Sequence, residues 1–111
     1  MLLLALVVAV PGLAESTPNR ELMNRAIAAL KKGDGIAAEA DLRRALAKGA
    51  PREAVAARMG EALIYQGKRD KAREWLGEGR FVKGEETWGF RMLGLLERLD
   101  GKLPAAGKAY D

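Results

Sequence analysis

The sequence contains no cysteine and no histidine in its 111 residues. The absence of cysteine excludes disulfides, thiolate metal ligands and thiol nucleophiles, and the absence of histidine excludes imidazole bases. Hydroxyl side chains are also scarce, because the only serine and threonine residues are Ser16, Thr17 and Thr87. No histidine is present to act as a general base and activate any of them. We therefore expect no catalytic residues, no cofactor and no small-molecule substrate.

The glycines and carboxylates do not follow a catalytic or ligand-binding spacing. The pairs Gly67-Lys68 and Gly101-Lys102 lack the serine or threonine of a phosphate-binding loop, and each follows a predicted helix rather than a strand. Glu85-Glu86 has no histidine or cluster of oxygen ligands near it, so we expect these carboxylates at a helix N-terminus and not at a metal.

The charge is mildly basic but evenly mixed. The chain has 19 Lys and Arg against 15 Asp and Glu, which gives a net charge of +4. No run exceeds two like charges, whereas a nucleic-acid footprint needs basic residues clustered on one face. The charges predict a solvated surface, and we expect no nucleic-acid partner.

Residues 1–14 have the pattern of a secretory signal peptide. Leu2–Val10 is an unbroken apolar run, and small residues at Gly12 and Ala14 fit a cleavage site before Glu15. The run is shorter than the roughly 20 apolar residues that span a bilayer. No Lys or Arg precedes it, so a short apolar helix packed on the rest of the chain remains the alternative. The pattern predicts export, to the periplasm or cell envelope of a bacterium.

The rest of the chain repeats with a period of 34 residues. Similar residues recur in four series: Ala26, Gly60 and Gly94; Gly33, Gly67 and Gly101; Ala38, Ala72 and Ala106; and Leu42, Leu76 and Tyr110. Apolar residues at spacings of three and four predict helices, with breaks at the glycines. The predicted helices are 20–32, 36–48, 53–66, 69–78 and 87–99, with a sixth beginning near 104. Residues 15–19 are expected to form a polar linker, followed by repeats at about 20–52, 53–86 and 87–111, the last incomplete.

These residues resemble the tetratricopeptide repeat. The copy that fits best has Met59-Gly60, Gly67, Ala72 and Leu76 in the family's register. The third copy follows with Phe90, Leu93-Gly94, Gly101, Ala106 and Tyr110, whereas the first departs from the pattern at Arg25. The resemblance covers about residues 20–111. It implies an all-α fold, a right-handed α-solenoid of antiparallel helix pairs with about five to six helices after the signal segment.

The repeat pattern predicts which residues pack between helices and which residues depart from the family's pattern. Ala26, Gly60 and Gly94 are expected where helices approach closely, and Leu63, Leu76, Phe90, Leu93, Leu96 and Tyr110 are expected to fill the space between layers. Arg69 and Glu97 stand where the family buries an apolar side chain, and they are expected to lie at edges or to pair with other charges. Gly77 and Gly79 predict an early end to the fourth helix, followed by a loop at 80–84.

The resemblance implies that the first helices of the repeats line a concave groove that binds a peptide or protein segment. The expected groove residues are Met23, Ile27, Glu61, Ile64, Tyr65, Trp88, Arg91, Leu95 and Arg98, with Leu30 and Ala57 beside them. Arg91 and Arg98 could hold the carboxylate of an acidic or C-terminal ligand. Alternatively, Trp88 packs only against Phe81-Val82.

The function predicted from the sequence is a non-catalytic protein-interaction scaffold of the bacterial envelope. The chain ends inside its third helix pair, so we expect further repeats of a longer chain, or another copy, to cover this open end. The alternative function is a membrane-associated assembly factor, anchored by an uncleaved apolar segment at residues 1–14.

Overall fold

A computed structural model describes residues 17–101, and the whole of this range is built from helices and their connections. The helices are α1 (Thr17–Lys31), α2 (Gly35–Ala47), α3 (Arg52–Tyr65), α4 (Arg69–Leu76) and α5 (Glu86–Leu99). No strand occurs within this range, so the prediction of an all-α chain is confirmed for it. The predicted signal segment, the sixth helix, Ala106 and Tyr110 lie outside the described residues.

The helix boundaries follow the sequence closely. The second, third and fifth helices begin one residue before the predicted position. The first begins at Thr17, so residues 17–19, which we assigned to the linker, belong to α1. This early start is compatible with Pro18, because the first turn of a helix needs no backbone donor. The fourth ends at Leu76, and Gly77 caps it, as the glycines there predicted.

The predicted turn glycines share one conformation. Gly33, Gly67 and Gly101 have φ angles of 77°, 75° and 80°, a left-handed region that side chains with a β-carbon rarely adopt. After Gly33, the amide of Asp34 donates to the carbonyl oxygen of Ala29 at 2.9 Å. After Gly67, Lys68 donates to Leu63 in the same way and at the same distance. Glycine therefore ends these helices by the same backbone device in successive repeats.

Small residues lie where the helices come closest. Ala26, Ala38 and Ala72 have no exposed surface. A β-carbon added to Gly60 would overlap the side chain of Leu76, which is itself fully buried. α3 and α4 can therefore approach this closely only because position 60 has no side chain.

α3 is the central helix of the described residues. Each helix packs against the next in sequence, and α3 also contacts α1 on one side and α5 on the other. Its buried positions include Val55, Met59 and Leu63, which have no exposed surface. α1 and α5 are thus both neighbours of α3, and α3 joins them into one core.

The two charged departures from the repeat pattern pair with other groups between α4 and α5. Nη1 of Arg69 donates to the carbonyl oxygen of Leu99 at 2.9 Å. Nη1 of Arg73 donates to Oε1 of Glu97 at 2.6 Å, and its other terminal nitrogen pairs with Asp100. Arg69 is exposed, and its Nη1 is also 3.4 Å from Oδ1 of Asp100, so it both lies at an edge and pairs with a charge. Glu97 is half-buried and paired.

The connection between α4 and α5 is anchored by Phe81. Its ring lies over Gly89, where an added β-carbon would be 2.5 Å from Cδ2, and the side chain is only 8% exposed. The ring of Phe90 meets it edge to face at a centroid distance of 5.4 Å. The amide of Val82 donates to the carbonyl oxygen of Glu53 at 3.0 Å, which ties the loop to α3. Phe90 is 39% exposed, so it covers Phe81 at the surface and does not fill an interior layer as predicted.

Candidate functional site

α3 and α5 place one charged and aromatic cluster on adjacent faces. On α3, Arg58, Glu61 and Tyr65 follow at spacings of three and four, which put them on one side of the helix. On α5, Trp88 and Arg91 are three residues apart and share a side in the same way. We call these five residues the α3–α5 face.

Glu61 lies at the centre of the face. Its Oε1 accepts a 2.8 Å hydrogen bond from the indole Nε1 of Trp88. The residue is only 6% exposed, which is unusual for a carboxylate unless it is paired. The nearest guanidinium is that of Arg58, whose Nη1 is 3.8 Å from the same oxygen. The structure thus places Glu61, one of the predicted groove residues, as the acceptor that orients Trp88.

Arg58 is held by a second carboxylate. Its Nε and Nη2 donate to Oε1 and Oε2 of Glu85 at 3.0 and 3.2 Å, a two-point pairing that fixes the guanidinium plane. The guanidinium carbon lies 4.7 Å from the ring centre of Trp88, within the range of a cation–π contact. Arg58 therefore links α3 to the start of α5 and to the indole at once.

Arg91 provides the exposed charge of the face. Its guanidinium carbon is 5.4 Å from the ring centre of Trp88. The side chain is exposed, and among the described residues it forms no ion pair. An exposed guanidinium held beside an aromatic ring is well suited to bind a carboxylate.

Tyr65 borders the same carboxylate. Burial raises the pKa of its hydroxyl, and the negative charge of Glu61 and a hydrogen bond with that carboxylate raise it further. Half of the residue is still exposed, at 51%. The hydroxyl therefore stays protonated as a donor, while the ring remains accessible at the surface.

The remaining predicted residues are not part of the α3–α5 face. Met23, Ile27, Ile64 and Leu95 are half-buried, and all except Ile27 pack against the core. Arg98 is exposed one helical turn beyond Leu95. Leu30 and Ala57, which we placed beside the groove, are 3% and 0% exposed and belong to the core. Their positions belong to the apolar stripe of each helix, and neighbouring helices cover that stripe.

The sequence pattern does not indicate that Arg58 pairs with Glu85. The sequence predicts Glu85 only as a charge at a helix N-terminus. The two lie 27 residues apart in sequence, so their pairing depends on how α3 and α5 pack. The spacing of Arg58 and Glu61 along α3 was the one local signal that could have pointed to it.

The described part of the chain holds no group of three or more acidic side chains arranged to bind a metal ion. None of its helices combines the length and the hydropathy needed to cross a membrane. No family model, no curated protein and no solved structure matches this chain. The geometry of the α3–α5 face is therefore the basis for a functional proposal.

Proposed function

We propose that this protein is a non-catalytic interaction scaffold that binds a peptide or protein segment along the faces of α1, α3 and α5. The observation that carries this proposal is the pair formed by Trp88 and Arg91. Trp88 is oriented by Glu61, and Arg91 lies beside its ring with an exposed guanidinium. Tryptophan and arginine are the side chains that most often anchor protein interfaces.

The helix arrangement supports a solenoid of the tetratricopeptide type. First helices lie side by side, and close contacts occur where the repeat pattern has small residues. In such an array the first helices line a concave groove, and this groove is the surface proposed for the partner.

The orientation of the site before binding favours this role. Trp88 is fixed by a hydrogen bond from its indole nitrogen and by the guanidinium of Arg58, itself bound to Glu85. Side chains that are already ordered lose less conformational entropy when a partner binds. The partner that fits best has a carboxylate for Arg91, on an acidic side chain or at a C-terminus.

We place this function in the bacterial envelope, because residues 1–14 have the pattern of a secretory signal. The same apolar run also favours a second candidate, an assembly factor anchored by an uncleaved segment. Mass spectrometry of the protein recovered from an exporting bacterium separates the two. An N-terminus at Glu15 supports a released scaffold, and a retained Met1 supports the anchored factor.

Selection from a random peptide display library tests the binding proposal directly. Peptides enriched on the folded protein are expected to lose most of their affinity for an Arg91→Glu variant, measured by fluorescence anisotropy. Lys71→Glu makes the same charge change at an exposed position on α4 and is expected to bind as the parent does. Failure to enrich any peptide above the bare matrix, or equal binding to the Arg91→Glu variant, would overturn the proposal.

A further inference from the structure

A cavity of about 460 Å³ opens at the N-terminal end of α3. Its apolar walls are Met23 on α1, Ala45 on α2, Ala50 between α2 and α3, Ala54 on α3, and Val82 in the loop before α5. Three of these five side chains are alanines from different parts of the chain. The space exists because these alanines meet where larger side chains would fill it.

The cavity adjoins the α3–α5 face. Ala54 precedes Arg58 by four residues, so both lie on the same side of α3. Glu85 lines the cavity and also binds Arg58, which contacts the ring of Trp88. A single ligand lying along α5 could therefore occupy the cavity and contact Arg91 at the same time.

The geometry points to a subsite of the proposed binding surface: the cavity takes a leucine- or methionine-sized side chain of an acidic peptide segment whose carboxylate pairs with Arg91. This inference rests on the proposed function and specifies its ligand. The occupant is an apolar residue with an acidic residue about three positions away in an extended chain.

Size and lining agree with this occupant. The volume lies within the range of pockets that bind small ligands, roughly 300–1,000 Å³, and leaves room for a side chain with part of its backbone. Besides the five apolar residues, the cavity is lined by Asn19, Arg20 and Glu85. An aliphatic side chain would therefore contact mostly apolar walls, and it brings no polar group that needs a partner.

Charge and spacing define the acidic position. The carboxylate of Glu85 is already bound at two points by Arg58, whereas Arg91 forms no ion pair among the described residues. Arg91 is six positions after Glu85, which is about 9 Å along a helix axis. An extended peptide covers that distance in about three residues.

The test uses the complete chain and the peptides that the display selection enriches on it. Ala54→Leu and Ala54→Met fill the cavity with good helix formers, and Ala28→Leu adds the same bulk at an exposed position on α1. Circular dichroism and urea unfolding establish that each variant is folded. Peptide affinities are measured for the parent and for all three variants.

The expected result is a loss of about tenfold or more in affinity on filling the cavity, in line with the burial of one aliphatic side chain. Replacing the apolar residue of the peptide by alanine should weaken its binding to the parent protein by the same factor. The same change in the peptide should weaken its binding to the Ala54→Leu variant only slightly, because this variant has already lost the subsite. Ala28→Leu should bind as the parent does.

The results that would contradict the subsite differ from those that would contradict the proposed scaffold function. One outcome is that the enriched peptides bind Arg91→Glu weakly and yet bind Ala54→Leu and Ala54→Met as tightly as the parent. That result would contradict the subsite but not the proposed scaffold function. Enriched peptides without an apolar residue near their acidic residue would do the same. If no peptide is enriched at all, the proposed function fails and the cavity inference fails with it.

Discussion

The indole nitrogen of Trp88 donates a 2.8 Å hydrogen bond to the carboxylate of Glu61, across the contact between α5 and α3. The two residues are 27 positions apart, and the carboxylate is almost completely enclosed. Arg58 lies close to both, since its guanidinium is near the carboxylate and over the ring. This hydrogen bond joins the packing of α3 and α5 to the surface proposed for the partner.

Removing the carboxylate of Glu61 should destabilise the fold more than removing its charge. In Glu61→Ala the partly buried indole N–H of Trp88 loses its acceptor, and we expect a loss of about 1–3 kcal/mol of unfolding free energy. Glu61→Gln keeps an acceptor oxygen and should lose less than about 1 kcal/mol. Urea unfolding followed by circular dichroism gives both values.

Glu74→Ala is the control for this comparison, because Glu74 is exposed on α4 and such changes usually stay within about 0.5 kcal/mol. Equal losses for Glu61→Ala and Glu74→Ala would show that the hydrogen bond to Trp88 contributes nothing.

The close contact of α3 and α4 at Gly60 can be tested with two substitutions, one that removes the side chain of Leu76 and one that adds a methyl group at position 60. A methyl group in Gly60→Ala meets the side chain of Leu76, and we expect a loss of about 1–3 kcal/mol of unfolding free energy. Leu76→Ala alone leaves a void and should cost about 2–5 kcal/mol. The double variant should lose clearly less than the sum, because the added methyl group occupies the vacated space. Strict additivity would contradict this contact.

The raised pKa of Tyr65 should depend on Glu61. Tyr110→Phe leaves Tyr65 as the only tyrosine, so its ionisation can be followed by ultraviolet absorbance. Burial is the largest cause of the raised pKa, followed by the charge and the hydrogen bond of Glu61. Glu61→Gln in this background should therefore lower the pKa towards its ordinary value without reaching it.

The same shift has a consequence for stability. The pKa of Tyr65 is higher in the folded protein than in the unfolded chain. The contribution of its protonated hydroxyl to the free energy of unfolding is therefore complete below the pKa of the unfolded chain. The contribution is lost as pH rises through the folded pKa. Glu74→Gln should leave the titration of Tyr65 unchanged, and an identical effect of both glutamine variants would contradict the assignment to Glu61.

The ion pairs of Arg73 should contribute more than a surface pair. Arg73→Met leaves Glu97 and Asp100 without this partner, and we expect a loss of about 1 kcal/mol after allowing for solvent screening. Arg43→Met breaks the exposed pair with Glu39 and should cost only about 0.3–0.5 kcal/mol.

Urea unfolding measures the difference between these two variants, and salt provides a second readout. In about 1 M NaCl the Debye length is near 3 Å, so the loss in Arg73→Met should shrink. A loss that is the same at low and high salt would show that packing, and not charge, holds Arg73.

Local features of the sequence predicted most of the backbone. The 34-residue period and the glycines at 33, 67 and 101 predicted where helices end, and the left-handed φ angles agree. Such features depend on residues within about one turn of each other, which the sequence presents directly. The burial of Ala26 and Ala72 followed from the same period, because equivalent positions meet equivalent neighbours.

Only the tertiary structure decided what each charged or aromatic side chain contacts. Nothing local distinguishes Glu61, which is buried under Trp88, from an exposed glutamate such as Glu74. Likewise, the sequence shows that Phe90 is aromatic but not that it covers Phe81 at the surface. These outcomes depend on the distance and rotation between packed helices, and residues far apart in the chain determine both.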